Sequence, residues 1–449
     1  RTLDGYGMGG ILADDMGLGK TVQVLSYLLA MKQNGQTLPS LIVCPASLVL
    51  NWAEECQKFT PELSCVVVDG DAAHRAELAE SWPAADLVVT SYDLLRRDET
   101  LYEGQEFYAC ILDEAQAIKN HTTQKYKAVC KVRSRVRFAL TGTPVENRLG
   151  ELWSIFSFLM PGYLPPYKSF CSRFEKPIVQ EEDQTAVRRL NQLTGPFILR
   201  RMKSDVLKEL PPKTENVYRI ELEEEQRKLY LAAVVDAREK LQAAKPEDKM
   251  AVFAVLMRLR EICCDPRLIA DNWEGGSAKL DACVELVSSA VEGGHRILLF
   301  SQFTSMLELL AKRLDAEGIS HFTLQGSTPK PVRAELVRRF NGGEVSVFLI
   351  SLRAGGTGLN LTAADIVIHY DPWWNVAAQN QATDRAYRIG QQNPVQVYKL
   401  IAQDTIEEKI VELQQAKQSL ADTVTGTADG AILSMRPDEL LQLLEGSEP

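Results

Sequence analysis

Short runs of apolar residues recur along the chain, and each run is followed by small or polar residues. The runs lack polar–apolar alternation, which favours strands buried on both faces of a parallel sheet. Between them, leucine and valine recur at helical spacing, which predicts amphipathic helices. The series occurs twice, so the sequence predicts an α/β fold with two parallel-sheet units. The predicted strands contain residues 41–43, 66–68, 87–89, 110–112 and 138–140 in the first series and 297–300, 347–350, 366–368 and 395–398 in the second.

The segment between the two series has a different sequence pattern. Paired apolar residues within 146–200, interrupted by the proline-rich stretch 161–166, predict a helical insertion with a turn. A Leu-Pro-Pro-Lys stretch at 210–213 indicates a linker, and the charged residues 221–262 favour helix. We expect a first lobe over 1–200 that includes the insertion at about 146–200, a linker and helical insertion over 201–278, a second lobe over 279–432, and a C-terminal helix and tail over 433–449.

Length and composition limit the class of protein. A chain of 449 residues is too long for one ordinary core, so two or three domains are expected. No apolar run reaches the roughly 18 residues of a membrane span, and no leader marks secretion. The nine cysteines form no Cys-x-x-Cys pair and only five histidines are present, so we expect neither a zinc site nor disulfides, and a cytoplasmic location. A net charge of −10 argues against coating nucleic acid by bulk charge, although a local basic groove needs only a few donors.

A glycine-rich octapeptide at 14–21 follows the apolar run 10–13 and has the spacing of a phosphate-binding loop, except that Asp14 stands where the pattern has glycine. A strand, a tight turn and a helix beginning near Lys20 would direct backbone N–H groups at an anion. Lys20 would reach the β- and γ-phosphates and Thr21 would hold Mg²⁺. The alternative is a chance glycine-rich turn before a helix. The predicted nucleotide-binding residues of this loop are Asp14, Gly17, Leu18, Gly19, Lys20 and Thr21.

An acidic pair, Asp113 and Glu114, follows the buried-strand run 109–112. Ligand sites in open α/β sheets lie beyond the carboxyl ends of strands. Asp113 could bind Mg²⁺, and Glu114 could orient or deprotonate an attacking water. The alternative is a helix N-terminus at which the helix dipole favours acids.

A third strand end carries hydroxyl groups. Thr141, Gly142 and Thr143 follow the run 138–140, and they could sense the γ-phosphate or link hydrolysis to motion. An ordinary turn before a helix is the alternative, because the proline that follows suits the first position of a helix.

The second series supplies two further candidates. Gly356 and Gly358 follow the strand 347–350 and could contact phosphate, or they could belong to a flexible loop. Arg385 and Arg388 are three residues apart on a predicted helix, which places both on one face. Arginine of this kind neutralises transition-state charge in phosphoryl transfer, whereas the alternative is a solvated helix face.

A tryptophan pair, Trp373 and Trp374, follows residues 370–372. These rings could stack on a strand of nucleic acid. Packing in the core is the commoner role of tryptophan, so the core is the favoured interpretation.

Taken together, residues 11–21, 113–116, 140–147 and 381–391 resemble the Swi/Snf-type ATPases of helicase superfamily two. Asp is usual in that family at the first loop position, so Asp14 supports the resemblance. The resemblance covers roughly residues 9–415, and Asp-Glu-Ala-Gln at 113–116 is similar to bacterial members. Further matching segments are 43–48, 90–93, 199–203 and 299–303.

The resemblance implies two RecA-like lobes with ATP and Mg²⁺ between them and double-stranded DNA across the top. Members of the family translocate along DNA and remodel or displace bound protein, usually without separating the strands. By position, Lys20 and Thr21 match the phosphate and Mg²⁺ residues, and Asp113 and Glu114 match the metal and water-activating acids. The motif with the arginine fingers matches Gln381, Arg385 and Arg388. The positions that match regions near DNA are Ser47, Ser91, Tyr92, Gln325, Gly326 and Trp374.

Two departures from the family pattern are present. An adenine-contacting glutamine motif precedes the loop in the family, but only 19 residues precede Lys20, so we expect a fragment or a truncated gene product. Val376 also stands where the family usually has proline.

We therefore predict a bacterial, cytoplasmic and nucleoid-associated translocase core that acts as a monomer on a DNA-bound protein. The alternatives within the class are a strand-separating helicase and an RNA-polymerase-recycling ATPase. The alternative from another class is a truncated module that binds DNA or protein with weak catalysis.

Overall fold

The computed structural model of the protein describes residues 1–142, 149–181, 183–206, 210–243, 249–270, 272–355, 359–374, 376–414 and 440–441. These residues form two compact units, and the change from the first to the second falls between Val206 and Leu210. The prediction of an α/β fold with two parallel-sheet lobes is confirmed. Within the described ranges, no helix is both long and apolar enough to cross a membrane.

The first unit is built on a parallel sheet of seven strands. Its strands are β1 (Gly10–Leu12), β2 (Ser40–Cys44), β3 (Cys65–Val67), β4 (Leu87–Ser91), β5 (Glu106–Asp113), β6 (Arg133–Leu140) and β7 (Ile198–Leu199). The order across the sheet is β3-β4-β2-β5-β6-β1-β7, and every pairing is parallel. All five strands predicted from the first series are present, and so is the strand predicted before the glycine-rich loop.

Helices cover both faces of the first sheet. Leu41 and Val43 of β2 belong to one apolar cluster, and Ile42 and Cys44 belong to another. Successive side chains of a strand point to opposite faces, so apolar residues at every position need a helix layer on each side. The helices of this unit are α1 (Thr2–Gly5), α2 (Lys20–Gln33), α3 (Val49–Phe59), α4 (Ala72–Ser81), α5 (Tyr92–Arg97), α6 (Glu99–Tyr102), α7 (Gln124–Lys131), α8 (Leu149–Leu159), α9 (Tyr167–Phe170), α10 (Lys176–Gln180), α11 (Gln184–Thr194) and α12 (Lys203–Val206).

Four of these helices, α8 to α11, lie within the segment predicted as a helical insertion. The chain then returns to the sheet, because β7 pairs with β1 at Ile198 and Leu199. β7 was not predicted, because its two residues are too few to show periodicity.

The second unit has a parallel sheet of six strands in the order β10-β11-β9-β12-β13-β8. These are β8 (Lys213–Ile220), β9 (Ile297–Ser301), β10 (His321–Leu324), β11 (Val347–Ser351), β12 (Ile366–His369) and β13 (Val395–Ala402). The four predicted strands are present. Both additional strands lie at the sheet edges, and β8 lies inside the segment predicted as a linker. Exposed polar residues fill most of β8, so its sequence carries no buried-strand signal.

The helices of the second unit include two long helices over the predicted helical segment, which pack against each other. They are α13 (Glu224–Ala243), α14 (Lys249–Cys264), α15 (Ala278–Glu292), α16 (Thr304–Ala316), α17 (Lys330–Asn341), α18 (Leu352–Gly355) and α19 (Val376–Thr383), with a further helix over 406–414. Most of the predicted C-terminal helix and tail over 433–449 lies outside the described residues. The domain boundaries at 200, 278 and 432 stay predictions.

Candidate nucleotide site

Three neighbouring strands of the first sheet end at one edge and carry the predicted nucleotide residues. Strands β1, β6 and β5 are adjacent and parallel, with Leu12 and Asp113 each in register with Leu140. The Thr141 N–H donates to the Leu12 carbonyl over 3.2 Å, which joins two of the strand ends directly. The loop after β1, the acids after β5 and the threonine after β6 therefore share the carboxyl edge, where open α/β sheets bind ligands.

The loop after β1 has the backbone of a phosphate-binding turn. Gly17 and Gly19 have φ angles of 87° and 74°, in the left-handed region that residues with a Cβ rarely adopt. Helix α2 begins at Lys20, as predicted, and the first N–H groups of a helix have no helical acceptor. Lys20 Nζ donates to the Asp14 carbonyl over 2.7 Å, so the ammonium folds back over the loop. Thr21 follows in the first turn and is half-buried.

At the first position of the loop, Asp14 is fully buried. Its carboxylate accepts hydrogen bonds from Arg201, through Nε over 3.0 and 3.1 Å, through Nη2, and through the backbone N–H over 3.0 Å. Gln23 Nε2 donates to the same carboxylate over 3.3 Å and to the Leu18 carbonyl over 3.1 Å. The assignment of Asp14 to the nucleotide-binding loop stays a prediction. A buried carboxylate needs partners, and here those partners belong to the protein, so the carboxylate supports the loop.

The metal-binding candidate Asp113 lies at the end of β5 and is 9% exposed. Trp52 Nε1 donates to its Oδ2 over 2.9 Å, and the Glu114 N–H donates to its Oδ1 over 2.9 Å. Burial raises the pKa of the Asp113 carboxyl to about 7, and the charge of Glu114 adds to this rise, while the Trp52 donor and the charge of Lys20 oppose it. A poorly solvated carboxylate beside a second carboxylate is an environment that a bound cation would stabilise.

The water-activating candidate Glu114 is held by a chain of side-chain hydrogen bonds. Its φ is 50°, a strained value for a residue with a side chain that costs on the order of 1–3 kcal/mol. Gln116 Nε2 donates to Glu114 Oε2 over 2.7 Å, and Thr141 Oγ1 donates to Gln116 Oε1 over 3.1 Å. Gln116 therefore connects the acid pair after β5 to the threonine after β6.

The side chains that could act as metal ligands fit Mg²⁺ rather than a metal that is held by protein groups alone. Across the described ranges there is no group of three or more His, Cys, Asp or Glu side chains placed to hold a metal ion. Mg²⁺ commonly takes one or two protein oxygens and completes its shell with phosphate oxygens and water. The Asp113 carboxylate and the Thr21 hydroxyl are oxygen donors of this kind.

Sequence reasoning missed four residues that hold the site together. Trp52 carries no motif signal, because its contact with the acid at the end of β5 depends on how α3 packs on the sheet. Gln116 and Arg201 lie in segments that supported the family resemblance, but their partners could not be read from spacing. Gln23 lies one turn into α2, where it faces back toward the loop.

Two of the DNA candidates in the first unit are buried. The Ser91 hydroxyl accepts from the Leu94 N–H over 3.2 Å and caps α5. Tyr92 is 3% exposed, and its hydroxyl donates to the Asp113 carbonyl over 2.9 Å. These two side chains therefore help to hold the strand ends, and their place near DNA stays a prediction. Ser47 lies half-buried in the turn before α3 and stays a candidate.

In the second unit, Trp374 belongs to an apolar cluster and is 6% exposed. The guanidinium of the buried Arg260 lies 4.3 Å from the centre of its ring. Trp374 therefore packs in the core, as the favoured interpretation expects, and its place near DNA stays a prediction. Gln325 and Gly326 form a turn after β10, with Gly326 exposed, and they stay candidates.

The candidate arginines are not on a helix. Helix α19 contains Gln381 but ends at Thr383, and Arg385 and Arg388 follow in turns. The Arg385 carbonyl accepts from the Leu361 N–H over 3.1 Å, so the backbone leaves the helical path to bond a neighbouring loop. Arg385 is 1% exposed and Arg388 is half-buried. The shared helix face predicted for the pair is therefore wrong, while their catalytic role stays a prediction.

Of the remaining candidate glycines and threonines, only one lies within the described residues. Gly142 follows β6, and a Cβ added there would meet no atom of the described residues within 4 Å. Thr143, Gly356 and Gly358 lie outside the described residues.

A glycine-rich turn, a lysine at the start of the following helix and an acid pair at a nearby strand end, all on a parallel sheet, define a P-loop nucleotide-binding protein. The family model of the SNF2-related domain matches residues 2–268, and that of the helicase conserved C-terminal domain matches residues 278–390. The chain belongs to the SNF2-related family, and the predicted resemblance is confirmed.

Relatives with similar sequences are named as ATP-dependent helicases. The chain is 41% identical over 451 residues to an uncharacterized ATP-dependent helicase of Mycoplasma pneumoniae, covering 99% of this chain and 43% of that protein. It is 40% identical over 448 residues to the putative ATP-dependent helicase/translocase YwqA of Bacillus subtilis, covering 97% and 48%. The chain thus spans about half the length of these curated relatives. A solved structure, the Sulfolobus solfataricus SWI2/SNF2 ATPase core in complex with dsDNA, is 35% identical and covers 99% of this chain and 94% of that one, with a TM-score of 0.48.

Proposed function

We propose that this chain is an ATP hydrolase that is stimulated by double-stranded DNA, translocates on it, and remodels or displaces a protein bound there. The observation that carries the proposal is the single sheet edge shared by the phosphate loop, the acid pair and Thr141. Catalysis of phosphoryl transfer depends on positioning the reactants and neutralising their charge, and each of these groups serves one of those purposes. Membership of the SNF2-related family and the helicase and translocase names of relatives support the same activity.

The roles of the first-unit residues follow from their chemistry. The loop N–H groups and Lys20 would hold the phosphates, and Thr21 and Asp113 would hold Mg²⁺, which would neutralise charge on the phosphates. Glu114 orients the attacking water and accepts its proton. The strained backbone of Glu114 and its bond to Gln116 fix the direction of the carboxylate.

The roles of the second-unit residues rest on the family resemblance. Arg385 and Arg388 act as the arginines that stabilise the transition state, with Gln381 in the same motif. DNA contact involves the backbone phosphates and carries no base sequence preference, with Gln325 and Gly326 as candidates. We also propose that the protein acts as a monomer near the nucleoid on a DNA-bound protein target.

ATP turnover with and without duplex DNA tests the proposal. The Glu114→Gln variant should bind ATP but lose hydrolysis by roughly 10²–10⁴-fold, the usual contribution of a general base. Glu103→Gln is the matched control, because Glu103 is exposed in the same unit and should turn over at the wild-type rate. Chelation of Mg²⁺ should abolish turnover.

Three results would count against the proposal. Wild-type turnover in Glu114→Gln would remove that residue from its role. DNA binding without any wild-type turnover would favour a binding module, and separation of a labelled fork would favour a strand-separating helicase.

A further inference from the structure

The segment that ends the first unit is bonded directly to the phosphate loop. The Ala13 N–H donates to the Leu199 carbonyl over 2.7 Å, and the Asp15 N–H donates to the Arg201 carbonyl over 3.0 Å. The Lys203 N–H donates to the Asp15 carboxylate over 2.9 Å. These bonds continue the pairing of β1 with β7 past the end of both strands, so the loop and residues 199–203 form one hydrogen-bonded layer.

Side-chain hydrogen bonds also connect the loop to residues 199–203. Arg201 binds the Asp14 carboxylate through Nε, Nη2 and its backbone N–H, and its Nη2 also donates to Gln23 Oε1. Gln23 Nε2 reaches the Leu18 carbonyl near the other end of the loop. Arg201 therefore holds the first position of the loop directly and the far side through Gln23.

The charges make this arrangement important for an anionic ligand. Asp14 is fully buried, and an isolated buried carboxylate is strongly unfavourable. Without Arg201, that carboxylate would also present an unneutralised negative charge beside the loop that must accept phosphates. The hydrogen bond to Asp14 raises the pKa of Arg201, so the arginine stays charged at any physiological pH. Arg200 precedes it on the chain and is exposed.

We propose that Arg201 is a positioning residue for nucleotide binding, which neutralises Asp14 and holds the loop, with Gln23, in the shape that accepts phosphates. Residues 199–203 then become more firmly bonded when the loop is occupied. The inference rests on the proposed nucleotide site but not on turnover or DNA tracking.

Titration of MgADP into the full chain tests the proposal. Arg201→Met should weaken MgADP binding by about tenfold or more, the effect of one poorly screened like charge near the phosphates. Arg200→Met, the matched control, should stay within about twofold of wild type. The KM for ATP should rise in Arg201→Met while kcat at saturating ATP stays nearly unchanged, because Arg201 touches no reacting atom.

A second substitution distinguishes the effect of the Asp14 charge on MgADP binding from a general disruption of the structure. Adding Asp14→Asn to Arg201→Met removes the unneutralised carboxylate, so the double variant should bind MgADP more tightly than Arg201→Met alone. A double variant that binds no better than the single one would overturn the electrostatic part of the proposal.

Amide hydrogen exchange in the wild-type chain avoids the risk that a variant fails to fold. The peptide that contains 199–203 should exchange more slowly with MgADP than without it, because the N–H of Lys203 is bonded to Asp15. Unchanged exchange at saturating MgADP, or wild-type affinity in a folded Arg201→Met variant, would overturn the proposal. If the chain showed no ATP turnover but bound MgADP in a manner that depends on Arg201, the proposed activity would fail while the role of Arg201 in nucleotide binding would be supported.

Discussion

Removal of the indole N–H that bonds the metal-binding candidate is a direct test of how the site is held. Trp52 is fully buried, and its Nε1 donates to the Asp113 carboxylate over 2.9 Å. In Trp52→Phe, the aromatic packing is largely kept but this donor is lost. The carboxylate then has one partner fewer in a buried environment that already disfavours its charge.

The expected magnitude follows from the kind of bond. A hydrogen bond to a charged group contributes about 1.5–3 kcal/mol, which corresponds to roughly 10- to 150-fold in an equilibrium constant. Loss of a group that orients a metal ligand commonly lowers metal affinity by about 10–100-fold. We therefore expect the Mg²⁺ concentration for half-maximal ATP turnover to rise by about 10–100-fold in Trp52→Phe.

The chain offers a matched control in the same unit. Trp82 is also fully buried, and within the described residues its Nε1 makes no hydrogen bond. Trp82→Phe removes the same atoms and should leave the Mg²⁺ dependence within about twofold of wild type. The assay is steady-state ATP turnover against Mg²⁺ concentration at fixed ATP, with thermal unfolding of both variants. Equal Mg²⁺ dependence in Trp52→Phe and Trp82→Phe would refute the reasoning.

Three further predictions address the other contacts. Arg388→Ala should keep ATP binding and lose DNA-stimulated hydrolysis by roughly 10³-fold or more, as expected for an arginine finger; an unchanged rate at saturating DNA would contradict this role. Thr141→Val removes the hydroxyl that bonds Gln116 and should lower kcat by about 2–10-fold, the effect of one neutral hydrogen bond, whereas Thr141→Ser should retain the rate. Burial lowers the pKa of His369 to about 3, with the charge of Lys399 adding to the effect. Its contribution to stability is thus present above pH 6.5 and is lost as the pH falls, by about 2 kcal/mol at pH 5. The free energy of unfolding in urea should therefore fall by about 2 kcal/mol less between pH 7 and pH 5 in His369→Gln than in wild type. An equal fall in both proteins would contradict the buried, neutral state of His369.

Local features of the sequence were enough for much of the fold. Buried strands are apolar at nearly every position, so ten of the thirteen strands in the described residues could be located from short apolar runs. The strands that were not predicted, β7, β8 and β10, lie at sheet edges. Exposed polar residues hide the pattern in β8, whereas β7 and β10 have only two and four residues. The start of α2 at Lys20 was predicted because glycines before a helix leave a clear signal. The helix assigned to Arg385 and Arg388 was wrong, because the bond from Leu361 to the Arg385 carbonyl depends on a distant loop.

The sequence by itself determined the class of the protein and the residue types of its site. Motif spacing depends on local backbone geometry, so Lys20 and the acid pair could be named before any fold was known. Only the tertiary structure decided that Asp14 is held by Arg201, 187 positions away along the chain, and that Trp52 bonds Asp113. It also decided that Tyr92 and Trp374 are buried. The physical reason is that a hydrogen-bond partner is selected by distance in space, and strand order and helix packing set that distance without leaving a fixed spacing in the sequence.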